Sequence, residues 1–362
     1  MSIRFPIVRP VLPELLQYQH HIDSVFKRVW LTNGGPLHQE LELRLAEYLK
    51  VKNLMLVSNG TLALQVAYKA LGLGERVLTT PFSFAATASS LAWQNHQCQF
   101  VDVQPTSLNI DPALISNQQW QQADGVVATH VFGNPCAVED IEKKAIQTNT
   151  KVIYDAAHAF GCRYKDQSLL NWGDASTLSL HATKIFHTVE GGAIIFRNEQ
   201  DLLTAKQLIN FGFDNNQFPS LVGINSKMSE IHAAMGLALL DNIDDIQQQR
   251  INSVACYQSE LRSVVEFQTW VDDSNNNGAY MPVLLESEQQ VLQVMRRLLE
   301  KGIQTRRYFY PSLSQVPCYG MDGDTPIANQ ISTRILCLPL YYGLTEDDIR
   351  YITNALKVAL IS

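Results

Sequence analysis

The chain has 362 residues, 46% apolar and 17% charged, with a formal net charge of −7. A charged fraction below the ~25% usual in soluble domains excludes an intrinsically disordered chain and allows a large, well-filled core. Acidic balance without a basic block excludes electrostatic capture of nucleic acid or an anionic membrane surface, and no apolar run approaches the ~18 residues needed to cross a bilayer.

At the start of the chain, residues 1–13 carry Arg4, Arg9 and three prolines where a signal peptide needs an apolar helix. The six cysteines that follow are dispersed, without a Cys-x-x-Cys pair, which predicts reduced thiols in a cytoplasmic protein with neither a disulfide framework nor a metal site. Residues 54–58 form a short apolar run that predicts a strand, and 61–71 place Leu62, Val66, Ala67 and Ala70 on one helical face. Further strands are predicted at 76–79, 99–101, 126–131, 151–155, 177–181 and 193–197, with helices at 85–93, 138–147 and 199–211 between them. Such alternation predicts an α/β fold with a mostly parallel sheet covered on both faces. Ligands of such sheets bind beyond the carboxyl ends of the strands. After a polar loop at 214–220 comes a long helical stretch from 228 to 264, then a turn cluster at 272–278. The remainder predicts a strand (279–285), a helix (287–301), two strands (304–308 and 334–338) and a helix (345–360). The pattern divides the chain into a large domain, 1–245, and a small α+β domain, 246–362, without internal repeats or low-complexity tracts.

The strand ends carry the candidate chemistry. Ser58-Asn59-Gly60-Thr61 opens a helix whose free N–H groups and dipole suit a phosphate, although the same residues suit an ordinary N-cap. Asp155 closes an apolar strand ahead of Ala156, Ala157 and His158. Burial there raises a carboxyl pKa unless a cation or strong donor faces it. Asp155 therefore reads either as a cap or as the partner of a bound cationic ring, and His158 as a cover for that ring or a core histidine. Lys184 lies among Leu180, Ala182, Ile185 and Phe186. A desolvated lysine has a lowered pKa and can form a Schiff base with a carbonyl, whereas a snorkelling surface lysine is the ordinary alternative. Together, a phosphate cradle, an acid for a ring nitrogen and an imine-forming lysine are what a pyridoxal 5′-phosphate (PLP) enzyme needs.

Four motifs carry a family resemblance: Asp155-Ala156-Ala157-His158, Ser179-Leu180-His181-Ala182-Thr183-Lys184, Glu190-Gly191-Gly192 and the run from Gly223 through Asn225 to Glu230. In this order and spacing the chain resembles the DegT/DnrJ/EryC1/StrS family of sugar aminotransferases, from Trp30 to Tyr341. The resemblance implies the type I aminotransferase fold and a homodimer with active sites shared across the interface. It implies that Lys184 is the catalytic lysine bound to the cofactor and Asp155 the partner of the pyridine nitrogen. Gly60, Thr61 and Ser179 match the phosphate contacts, and Phe84 the aromatic residue stacked on the ring. Asn225 matches an asparagine that reaches the neighbouring subunit's phosphate, and His158 stands where many members have glutamine. Arg306, Tyr308 and Tyr310, with Arg307 between them, are candidates for binding a nucleotide diphosphate or the donor carboxylate, or else form a solvated strand edge.

Some family members carry histidine in place of the lysine and act as dehydratases; Lys184 favours transamination. The implied reaction takes an amino group from L-glutamate, leaves pyridoxamine 5′-phosphate and 2-oxoglutarate, and then aminates a keto sugar. The segments 30–36 and 130–136 resemble those of bacterial members that convert dTDP-4-keto-6-deoxy-D-glucose to dTDP-4-amino-4,6-dideoxy-D-glucose for O-antigen or related polysaccharides. A 3-keto or UDP-linked sugar is the alternative substrate. A non-catalytic PLP-binding regulator is the alternative of another class, and intact Lys184 and Asp155 argue against it.

Overall fold

The computed structural model describes residues 3–320 and 323–361. Two helices precede the sheet, α1 (Leu15–Arg28) and α2 (Pro36–Leu49); neither is among the predicted elements. Proline at the first helical position suits α2, because the missing N–H would have no intrahelical acceptor there. The next orphan donors, the N–H groups of Leu37 and His38, are accepted by the Glu230 carboxylate at 3.0 and 2.8 Å. Glu230 is wholly buried and has the Arg28 guanidinium 3.8 Å away. A Cβ on Gly35 would lie 2.6 Å from the Glu230 Cδ, so the approach requires glycine.

The sheet region runs β1 (Leu54–Val57), α3 (Gly60–Ala70), β2 (Arg76–Thr79), α4 (Ala85–Trp93), β3 (Gln97–Phe100), α5 (Asn117–Gln122), β4 (Gly125–Thr129), α6 (Val138–Thr148) and β5 (Lys151–Asp155). A small hairpin, β6 (Arg163–Tyr164) and β7 (Gln167–Ser168), leads to β8 (Ala175–Ser179), β9 (Gly192–Phe196) and α7 (Glu199–Leu208). Seven strands form one sheet in the order β1-β9-β8-β5-β4-β2-β3. Only β9 is reversed, antiparallel to both β1 and β8. Alternate strand residues feed opposite layers: Val126, Ala128, Val152 and Tyr154 face one core, Val127 and Ile153 the other. Burial on both faces explains the continuous apolar runs in the sequence.

Beyond the sheet come α8 (Glu230–Leu240), α9 (Ile243–Leu261), β10 (Pro282–Leu284), α10 (Glu288–Glu300), α11 (Pro326–Arg334), β11 (Ile335–Cys337) and α12 (Glu346–Ile361). The single helix predicted over 228–264 is two, parted at Asp241 and Asn242; Asp244 and Asp245 in the first turn of α9 favour a new start there. The strand predicted at 304–308 is reduced to one bridge, in which Arg306 and Cys337 exchange backbone hydrogen bonds of 3.2 and 2.8 Å. The segment then turns so that Tyr308 faces the sheet's carboxyl ends. α11, also absent from the predicted elements, starts on a distant cap: Asp102 accepts the N–H groups of Ile327 and Ala328, both at 2.8 Å. α9 spans two cores, giving Ile243 and Ile246 to the sheet's and Val254, Tyr257 and Leu261 to a C-terminal one. Phe5, bridged to Ile303, joins the latter. Among the described residues, no helix is long and apolar enough to cross a membrane.

Candidate active site

The carboxyl ends of β4, β5 and β8 open into a cavity of about 330 Å³. The sequence places Lys184 there because β8 and β9 are antiparallel neighbours, and the loop joining them, 180–191, must fold back over the strand ends. Its backbone is fixed by hydrogen bonds from Leu180 N–H to Gly191 and from Thr188 N–H to Leu180, 2.8 and 2.9 Å. Lys184 is half-buried, and its Nζ donates to the Tyr280 hydroxyl at 3.2 Å. Desolvation lowers the Lys184 pKa to about 8, opposed by the charge of Asp155.

Asp155 is nearly inaccessible. Its Oδ2 accepts from Thr87 Oγ1 at 2.7 Å and its Oδ1 from the Ala157 N–H at 3.1 Å. Burial raises its pKa, while these two donors and Lys184 pull it back down. His158 lies parallel to both Phe132 and Phe309, at centroid distances of 6.2 and 5.8 Å. Its Nδ1 accepts the Phe132 N–H at 3.2 Å, so Nε2 carries the ring proton of the neutral form. Burial first, and Lys184 second, push its pKa well down, which keeps it neutral. Its carbonyl is held from below by Asn277 Nδ2 at 2.8 Å.

At one end of the cavity α3 begins. Asn59 caps it by accepting the Leu62 N–H at 2.8 Å, and the Gly60 and Thr61 N–H groups have no acceptor among the described residues. A Cβ on Gly60 would lie 2.9 Å from that of Ser179, so only glycine brings these N–H groups beside the serine hydroxyl. Orphan donors at a helix N-terminus with an adjacent hydroxyl suit a phosphate. Phe84, more than half exposed, stands at the N-terminus of α4 and lines the cavity. The opposite wall comes from the C-terminal part of the chain: Tyr280, Arg306, Tyr308 and Phe309.

Of the residues singled out from the sequence, Gly60, Thr61, Phe84, Asp155, His158, Ser179, Lys184, Arg306 and Tyr308 therefore meet at one cavity. Tyr310 does not; its ring lies 3.3 Å from the Arg307 guanidinium, which itself pairs with Glu288 at 2.8 Å. Asn225 is exposed on the loop bridged to Asn210 and does not line the cavity of its own chain. Sequence reasoning missed Tyr280, Ser83, Thr87 and Thr129. The hydroxyl residues in Pro81-Phe82-Ser83-Phe84-Ala85-Ala86-Thr87, beside a strand end, were the available signal.

Comparison with known proteins gives a consistent picture. The sequence profile of the DegT/DnrJ/EryC1/StrS aminotransferase family matches residues 17–357. The chain is 37% identical over 358 residues to a dTDP-4-amino-4,6-dideoxy-D-glucose transaminase of Shigella dysenteriae, covering 97% of this chain and 98% of that one. It is 35% identical to the Escherichia coli protein of the same description, covering 97% of each. Among solved structures, DesI crystallised with its TDP-sugar product superposes with a TM-score of 0.93 at 30% identity, covering 99% of this chain and 94% of DesI.

Proposed function

Because this chain belongs to the DegT/DnrJ/EryC1/StrS aminotransferase family, and is thus a PLP-dependent sugar aminotransferase, we propose that it transfers the amino group of L-glutamate to dTDP-4-keto-6-deoxy-D-glucose. The product is then dTDP-4-amino-4,6-dideoxy-D-glucose, made in the cytoplasm for O-antigen or a related polysaccharide. The observation that carries this reading is a half-buried lysine with a pKa lowered to about 8, sharing one cavity with a buried aspartate. The relatives of Shigella dysenteriae and Escherichia coli support the choice of sugar.

The residues present fit the cofactor: orphan N–H groups and a hydroxyl for its phosphate, and a buried carboxylate for its ring. When bound, PLP supplies an aldehyde to carry the amino group and a pyridinium ring that delocalises the electron pair left at Cα. Gly60, Thr61 and Ser179 would hold the phosphate, Asp155 would partner the ring nitrogen, and Phe84 would pack on the ring. His158, kept neutral, offers its Nε2–H to a polar edge. Lys184 Nζ takes the proton from Cα of the donor. A lowered pKa makes the neutral amine accessible near neutral pH, which general-base work requires. In the second half-reaction the same nitrogen delivers a proton to C4 of the sugar. Arg306, which lines the cavity, would meet the donor carboxylate or the diphosphate. The cofactor contacts belong to the sheet domain, 1–245, and the facing wall to 246–362. The active unit is a homodimer, in which Asn225 reaches the partner's phosphate.

Incubation with glutamate and a panel of nucleotide keto sugars, followed by mass spectrometry and NMR of the products, tests the reading. Amination at C4 of the dTDP-linked sugar is expected. Turnover of a 3-keto or UDP-linked sugar alone would reassign the substrate, and no loss of the PLP absorbance on adding glutamate would overturn transamination.

A further inference from the structure

Beside Asp155 runs a row of three hydroxyls that the reaction as described does not use; Ser83 and Thr129 reach the cavity wall, and Thr87 does not. Thr129 Oγ1 and Ser83 Oγ are 2.9 Å apart, Ser83 Oγ and Thr87 Oγ1 2.7 Å, and Thr87 Oγ1 and Asp155 Oδ2 2.7 Å. All three hydroxyl residues are at most 2% exposed. Three elements bring them together: Thr129 ends β4 directly opposite Asp155 in the β5 register, Thr87 lies in the first turn of α4, and Ser83 in the turn before it.

Each hydroxyl has one proton to give. An ionised carboxylate only accepts, so Thr87 must spend its proton on Asp155. Ser83 must then donate to Thr87, and Thr129 to Ser83. The usual fate of a buried threonine hydroxyl is different: Thr79 Oγ1 in the same sheet donates to a backbone carbonyl, Val127 O, at 2.8 Å. We propose that Thr129, Ser83 and Thr87 form a one-directional hydroxyl relay that holds Asp155 as a fixed acceptor, with Thr87 as a positioning residue for the carboxylate oxygen presented to the cofactor's ring nitrogen. This rests on the transaminase reading for the identity of the ring, but the relay itself is a property of the chain.

Aligned hydrogen bonds polarise one another in a low-dielectric interior, so removing a remote member weakens the terminal bond. The relay offsets the burial that raises the Asp155 pKa. The other titratable groups facing Asp155 are Lys184 from the β8–β9 loop, Tyr68 on α3 and Tyr280, and His158 lines the same cavity. None belongs to the relay.

Difference infrared spectroscopy of the cofactor-free full chain, with Asp155→Asn as the blank, reads protonation of this one carboxyl as pH is varied. Thr87→Val is expected to raise its proton affinity roughly ten- to a hundred-fold, the range for one hydrogen bond to a charged group. Ser83→Ala should raise it by a smaller factor in the same direction, and Thr87→Ser should restore the parental value. A merely structural threonine would alter stability without moving this midpoint. An unchanged midpoint in Thr87→Val overturns the proposal, as does a shift in Thr87→Val with none in Ser83→Ala, which reduces the relay to a single bond. Should Thr87→Val not fold, Ser83→Ala decides alone. PLP uptake, followed separately by absorbance, distinguishes the two readings: a moved midpoint in a chain that takes up no PLP keeps the relay and overturns transamination.

Discussion

Burial brings the Lys184 ammonium from its ordinary 10.5 down to about 8, and that links its protonation to folding. Below pH 8 the amine is charged in both the folded and unfolded chain, and the folded state bears the desolvation cost. Between about 8 and 10.5 the unfolded chain binds more protons, so this group's contribution to stability rises with pH. Cofactor-free Lys184→Met should accordingly unfold at a higher urea concentration than the parent at pH 7, with the gap closing toward pH 10.5. A constant gap across that window would mean that the lysine is solvated. Asp155→Asn should retain PLP yet slow the reaction with glutamate about a hundred-fold or more, measured by stopped-flow absorbance. Rates near the parental value would leave Asp155 as a cap. Asp155, Ser179 and Lys184 were legible in the sequence because a parallel sheet gathers the ends of its strands at one place. Thr87 and Tyr280 were not. A threonine in the first turn of a helix looks like an ordinary cap or packing residue, and only the 2.7 Å approach to Asp155 across 68 positions gives it a role. Tyr280 likewise meets Lys184 across 96 positions.

Helices with apolar periodicity and strands buried on both faces were readable because their signals are local. α2 and α11 were missed for a shared reason: each starts on a carboxylate remote in sequence. Glu230 accepts from Leu37 across 193 positions and Asp102 from Ile327 across 225, while the flanking residues, Gly35 before α2 and Thr325 before α11, make no side-chain cap hydrogen bond; the pair Thr325-Pro326 was nonetheless a local start signal. Glu230 also stands in the family-like motif, where structure gives it the work of a cap rather than of the site. Glu230→Ala should therefore destabilise the fold by about 2 kcal/mol, since two buried N–H groups and Arg28 lose their partner. Glu230→Gln, which keeps one acceptor, should lose less. Urea midpoints measure both, and equal losses would assign the effect to charge alone.

The proposed shared-site dimer makes a prediction for the molecule as a whole. Asn225 lies on a stretch of chain that exposes Phe211, Phe218, Val222 and Ile224, the kind of apolar surface that the proposed dimer would cover. Lys184→Ala and Asn225→Asp should each be inactive alone, the second because its charge repels the phosphate. Refolded together they should recover activity, since a mixed dimer contains one site free of both defects. No recovery with mixed dimers demonstrably present would return Asn225 to its own subunit. One further consequence follows from α9, which completes one core with Ile246 and begins another with Val254. On the ribosome, where chains fold from the N-terminus as they emerge, the sheet cannot be sealed when its last strand appears. It must wait for α8 and α9, with apolar surface open to chaperones in the interval. Phe5 waits longer still for Ile303, so a residue made before the whole sheet finds its place only after it.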